Sequence, residues 1–174
     1  MAKHSWEASF FEKIDNPTKA YWLGFLYADG SVRDTKQYST FKLQLQRRDK
    51  SYLQKLKEDL QATHPIWDTF SKGGHFIRGK QMKDAFPSCF QVYSKKACKD
   101  LILLGCFPRK SLILQFPTLE QVPNSLISHF IRGYFDGNGS IGFYIYKGYC
   151  RKHYHISFCG TEHFLKAPHN QNNL

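Results

Sequence analysis

Apolar and polar positions change period several times along the chain, and each change marks an element. Asn16 stands as an N-cap ahead of Pro17 at a first helical position. The apolar run that follows predicts a helix over Thr18 to Asp29, stopped by Gly30-Ser31. From there the period drops to two. Phe41, Leu43 and Leu45 alternate with Lys42, Gln44 and Gln46, the mark of a strand with one apolar and one polar face, in a hairpin turning within Asp34-Thr35-Lys36. Helical spacing then returns with Tyr52, Leu53, Leu56 and Leu60 behind a cap at Asp49, so this helix should cover the sheet's apolar face.

Between Ile66 and Ser94, Gly73-Gly74 as a turn and Cys89 to Tyr93 as a strand read as a second hairpin. Ser94 caps a third helix, Lys95 to Leu104, which Gly105 ends. The unit at 16–105 thus runs helix, strand, strand, helix, strand, strand, helix. A connector at 106–123 follows, punctuated by Pro108, Pro117 and Pro123. The remaining stretch, 124–174, opens with a helix over Leu126 to Gly137, capped by Asn124 or Ser125. It has room for one hairpin and a helix near Thr161 to Lys166, and the ending APHNQNNL does not read as its continuation. This second unit is therefore expected to be incomplete, with an unpaired sheet edge.

The two opening helices are a repeat. LGFLYADGSV aligns with RGYFDGNGSI at a constant offset of 109 (133 − 24), pairing Gly24 with Gly133, Ala28 with Gly137 and Asp29 with Asn138. In each copy the small residues stand at i and i+4 and so share one helix face. Glycine inside a helix costs about 1 kcal/mol against alanine. A close helix–helix approach through Gly24, Ala28, Gly133 and Gly137 would offset that cost, and it would bring Asp29 and Asn138 together.

Charge narrows the partner. With 25 Lys+Arg against 14 Asp+Glu the chain carries +11, which points to a polyanion. Apolar residues make up 41% of it, enough to build a core. No apolar run reaches the roughly 20 residues of a membrane span and no signal-peptide core is present, so a soluble, intracellular protein is expected. Five cysteines without a CxxC pair argue for free thiols. Cys150, His153, His155, Cys159 and His163 are close enough in sequence to suggest zinc, but ordinary strand alternation accounts for them better.

WLGFLYADG (Trp22 to Gly30) and IRGYFDGNG (Ile131 to Gly139) resemble the two motifs of LAGLIDADG homing endonucleases, and LGCFPRKSLILQFP resembles that family's connector. The resemblance covers nearly the whole chain. It implies an α+β, pseudo-symmetric fold whose two sheets straddle duplex DNA, in a monomer built as an internal pseudo-dimer; an incomplete second unit would permit self-association. It implies Mg2+ (or Mn2+) as cofactor and phosphodiester hydrolysis, with metal positions at Asp29, Gly30 and Asn138 and a catalytic ammonium at Lys110. DNA contacts fall to Arg33, Lys36, Lys42, Gln44, Gln46 and Arg47, with His153 and His155 in the second unit. Asn138 departs from the acid expected there and carries no charge. Asp136 does not replace it, being rotated by about 200° around the helix. The expected function is site-specific DNA cleavage, weakened or reduced to nicking. A non-cleaving DNA-binding protein and an intron RNA maturase are the alternatives.

Overall fold

The computed structural model describes residues 4–74, 76–77, 79–146 and 151–170. Helix α1 (Pro17–Asp29) leads into β1 (Gly30–Asp34), β2 (Ser39–Gln46) and α2 (Lys50–Asp59). Next come β3 (Ile66–Asp68), the short strands β4 (Phe76–Ile77) and β5 (Lys80–Gln81), β6 (Pro87–Tyr93) and α3 (Lys95–Leu103). A connector follows, and then α4 (Ile127–Asn138), β7 (Gly139–Ile145), β8 (Lys152–Phe158) and α5 (Glu162–Asn170). The fold is α+β.

Strands β1, β2, β6 and β3 form an antiparallel sheet in the order β1-β2-β6-β3. Val32 faces Phe41, Phe41 in turn faces Val92, and Leu43 faces Phe90, so one side is continuously apolar. Leu53 and Leu56 of α2 and Ala97, Cys98 and Leu101 of α3 bury it. Helix α1 is buried nearly all round, Trp22 through Tyr27 without a break. An apolar helix of that kind belongs between two layers, and here the sheet lies on one side and α4 on the other. Residues ahead of α1 also enter the core: Phe10, Phe11 and Ile14 are buried, and Trp6 meets Phe41 edge-on.

Several local expectations change. Asn16 does cap α1, accepting from the Lys19 amide at 3.0 Å, and Ser94 caps α3, accepting from the Ala97 amide at 3.2 Å. Asp49 makes no cap bond, because a 3-10 turn at Arg47–Asp49 precedes α2 and its carboxylate lies 3.6 Å from Arg48. Similarly, Asn124 opens a 3-10 turn, and α4 starts at Ile127 with no side-chain cap. The first hairpin turns one residue later than expected. Asp34 remains in β1 opposite Ser39, and the Thr35 hydroxyl ties the turn to Tyr38. Gly73-Gly74 is not the tip of the second hairpin: Gly74 is left-handed at φ +88°, but its amide pairs with the Met82 carbonyl, and the chain reverses between β4 and β5 at Gly79, where φ is +77°. Helix α5 continues to Asn170, through part of the ending read as non-helical, with Thr161 accepting from the Phe164 amide at 3.1 Å at its start.

Strands β4 and β5 pair as a short hairpin of their own, and β7 with β8 forms a separate two-stranded ribbon. Ile141, Phe143, Ile145, Tyr154 and Ile156 share one of its faces and are 53–72% exposed. The corresponding face of the first sheet lies under α2 and α3. Among the described residues, no helix is long and apolar enough to cross a membrane.

Candidate active site at the paired helix ends

The approach of α1 to α4 is limited by backbone. A methyl group built on Gly24 would stand 2.0 Å from the Phe130 carbonyl oxygen, and one on Gly133 would stand 1.9 Å from that of Tyr21. The same methyls would also stand 2.9 Å from the Tyr134 nitrogen, for Gly24, and 3.0 Å from the Phe25 nitrogen, for Gly133. All of these partners are related by the 109-residue offset of the sequence repeat, so a local two-fold relates the helices. Further along, a methyl on Gly137 would stand 2.4 Å from the Ala28 methyl and 3.4 Å from Asp29 Oδ2. The C-terminal ends of both helices are therefore side by side.

Asp29 closes α1, where the helix dipole disfavours a carboxylate. Burial pushes its pKa upward, and the positive charge of Lys110 opposes that shift. Lys110 sits in a 3-10 turn of the connector after Arg109, whose φ is +57°. Although a lysine, it is only 8% exposed, and its ammonium donates to the Gly30 carbonyl. Burial lowers its pKa, with Cys106 and then Asp29 holding it up. The Gly30 carbonyl, read from the sequence as a metal position, is thus already engaged by a cation.

Asn138 closes α4. Its amide nitrogen donates to the Tyr134 hydroxyl at 3.3 Å, and Tyr134 donates to the Cys159 carbonyl at 2.7 Å. Lys110 and Asn138 line a common cavity of about 290 Å³ with Ala28, Ser111 and Thr161. Asp136 faces elsewhere, accepting from the Tyr21 hydroxyl at 2.7 Å, in keeping with its rotation around α4.

The polar sheet face adjoins these helix ends, since β1 starts at Gly30 and β7 at Gly139. Ser31 and Lys42 are register partners there, as are Arg33 and Thr40, and Lys42 and Gln91. Lys42 donates to Gln44 at 3.0 Å, Arg33 reaches the Tyr38 hydroxyl at 3.3 Å, and Lys36 is exposed in the adjoining turn. Gln44 and Gln46 are exposed. Thr40 is 4% exposed with its hydroxyl on the Val92 carbonyl, so it is not available to a ligand. Arg47 lies 3.4 Å from Asp68, which also accepts from Ser88 and Lys50. Part of its charge is therefore answered within the fold. In the ribbon, His153 stacks on Tyr144 at 5.5 Å, and His155 faces Gly142 on the same side as Ser140 and Ser157. Gln91, Tyr93 and Trp67 join the polar face of the first sheet and were missed in the sequence, where nothing set the pairing of β2, β6 and β3.

The donor set at the helix ends is one carboxylate with neutral oxygens. That suits Mg2+ or Mn2+, which bind through one or two carboxylates, waters and substrate phosphates. Among the described residues, no group of three His, Cys, Asp or Glu side chains is arranged to hold a metal alone. Of the sequence cluster considered for zinc, Cys150 lies outside the described residues.

No protein-family model matches the chain, and no curated protein matches it. Among solved structures the chain is similar to LAGLIDADG homing endonuclease I-GzeII in complex with DNA target, at 15% identity and a TM-score of 0.46, over 83% of this chain and 65% of that one. It is also similar to meganuclease I-SmaMI bound to uncleaveable DNA with a TTCT central four, at 15% identity and a TM-score of 0.39, over 74% of this chain and 60% of that one. The chain thus spans under two thirds of the length of these structures.

Proposed function

We propose that this chain binds duplex DNA across its polar sheet faces and hydrolyses phosphodiester bonds at the paired ends of α1 and α4, as a homing endonuclease using Mg2+ or Mn2+. The observation that carries the reading is the reciprocal glycine contact, which joins the two motif helices backbone to backbone and so brings the ends that carry Asp29 and Asn138 side by side, with β1 and its Ser31–Lys42 register pair following directly from α1. Asp29 and the Asn138 amide oxygen would hold the cation, whose chemistry is to activate water and to neutralise charge on the attacking and leaving oxygens. Asp29 supplies the one carboxylate at the paired helix ends, the negative charge that such a cation would need. Lys110 places a fixed positive charge near the developing negative charge, in a buried setting where such charges act strongly. Arg33, Lys36 and Lys42 meet phosphates, while Gln44, Gln46 and Gln91 have the donors and acceptors that read base edges in a major groove.

Asn138 makes the two halves unequal: one motif supplies a charge and the other does not. Cleavage is therefore expected to be slow or confined to one strand. The same residue favours a second reading, a DNA-binding protein that no longer cuts.

Duplexes with a randomised core, enriched by binding and then exposed to Mg2+, test both readings, with structured RNA as competitor at fixed salt. The endonuclease reading predicts a defined cut or nick that Asp29→Asn removes. Enriched DNA that is never cut supports the second reading, and RNA displacing DNA overturns both.

A further inference from the structure

Besides its aspartate-to-asparagine difference, the repeat carries another difference four residues earlier. Phe25 and Asp29 in the first motif correspond to Tyr134 and Asn138 in the second. Each pair is spaced i, i+4 and so lies on one helix face. In the second motif its members are bonded: Asn138 Nδ2 donates to the Tyr134 hydroxyl at 3.3 Å, while that hydroxyl donates its hydrogen to the Cys159 carbonyl at 2.7 Å. The ring is fixed by stacking on Phe164, centroids 4.1 Å apart, and Tyr134 is 1% exposed.

A phenol has a single hydrogen. With that hydrogen directed to Cys159, only lone pairs face position 138, and they call for a donor. An amide supplies one, whereas an ionised carboxylate accepts only. Phe25 has no hydroxyl and makes no such demand on Asp29. Among the described residues, Asn138 Oδ1 accepts no hydrogen bond, so anchoring Nδ2 leaves Oδ1 as the atom available to a ligand.

We propose that Tyr134 is a positioning residue for position 138: it selects an amide over a carboxylate there and presents Oδ1, making the second helix end neutral by construction. The pairs Phe–Asp and Tyr–Asn then act as alternative units. The asparagine is a matched component of its site, and changing it alone to an acid sets a carboxylate against a hydroxyl whose hydrogen is committed elsewhere. The part of the proposal that concerns a metal rests on the endonuclease reading; the pairing itself does not.

A double-mutant cycle tests it, using wild type, Tyr134→Phe, Asn138→Asp and the double variant. The readouts are Tm at pH 7 without metal and Mn2+ affinity, by electron paramagnetic resonance, of the protein on its enriched duplex. Tyr134→Phe is expected to lower Tm beside asparagine and to raise it beside aspartate. The double variant is expected to bind Mn2+ at least about threefold more tightly than Asn138→Asp alone. Equal Tm shifts from Tyr134→Phe in both backgrounds overturn the pairing. If no variant, Asp29→Asn included, changes Mn2+ affinity while the Tm values remain coupled, the pairing stands and the metal-facing role of Oδ1 is overturned. Where neither aspartate variant folds, Asn138→Ala replaces them. A smaller Tm loss from Tyr134→Phe in that background supports the pairing, and an equal loss overturns it.

Discussion

Gly133→Ala adds one methyl group to the centre of the helix pair. That methyl would stand 1.9 Å from the Tyr21 carbonyl oxygen, where ordinary contact begins at 3.4 Å, so the helices must separate by up to 1.5 Å (3.4 − 1.9). The obstacle is backbone on a buried helix and cannot turn aside as a side chain would. Overpacking costs about 1–3 kcal/mol and sometimes more. Against this, alanine regains about 1 kcal/mol of helix propensity. With the strain at or above the top of its range, the net loss is about 2–3 kcal/mol. At roughly 2–4 °C per kcal/mol for a chain of this size, Tm should fall by about 4–12 °C. Thermal unfolding followed by circular dichroism at 222 nm measures it. Gly24→Ala, facing the Phe130 carbonyl at 2.0 Å, should match it. Gly137→Ala crowds the Ala28 methyl, at 2.4 Å, and meets Asp29 Oδ2 only at ordinary contact, 3.4 Å, so Ala28→Gly should rescue that variant but not Gly133→Ala. An unchanged or raised Tm for Gly133→Ala would refute the close packing.

Asp29→Asn should abolish cleavage yet raise Tm at pH 7. Burial holds the folded carboxyl above its ordinary value of 3.8, so the folded state binds that proton more tightly and stability falls as pH rises through the window above 3.8. The Tm advantage of the variant should vanish below that window, and an advantage that persists there counts against the assignment. Lys110→Met removes the charge that opposes the Asp29 shift; its cleavage rate should drop about 10²-fold and its acid limb should move to higher pH. Arg33→Ala and Lys42→Ala should each reduce the slope of log K against log salt by about 0.9 if each residue meets one phosphate, and an unchanged slope removes that residue from the interface. Wild type should self-associate through the bare ribbon face, more so as salt screens its positive charge, and Ile141→Lys with Ile156→Lys should suppress this in sedimentation velocity.

The helices, the first hairpin and the pairing of the motifs were legible in the sequence because each rests on a local signal: a cap, a period, or glycines at i and i+4. What was illegible depends on partners far along the chain. Trp67, Gln91 and Tyr93 share a face with Lys42 only because β6 lies between β2 and β3. Phe10 and Phe11 sit in an irregular stretch whose burial no period announces. Lys110 reads as one more basic residue until its connector folds it beneath Gly30. Asn138 looked like a lost acid, and only the hydroxyl chain to Cys159 gives it a structural reason.

The most direct measurement of the central claim is the position of a divalent cation in a crystal of the chain with its enriched duplex and Mn2+, located by anomalous scattering. The account predicts a peak at the Asp29 carboxylate, with Asn138 Oδ1 turned toward it and Arg33 and Lys42 against the DNA backbone. A duplex bound on another face, or one seated there with no cation at Asp29, would contradict it.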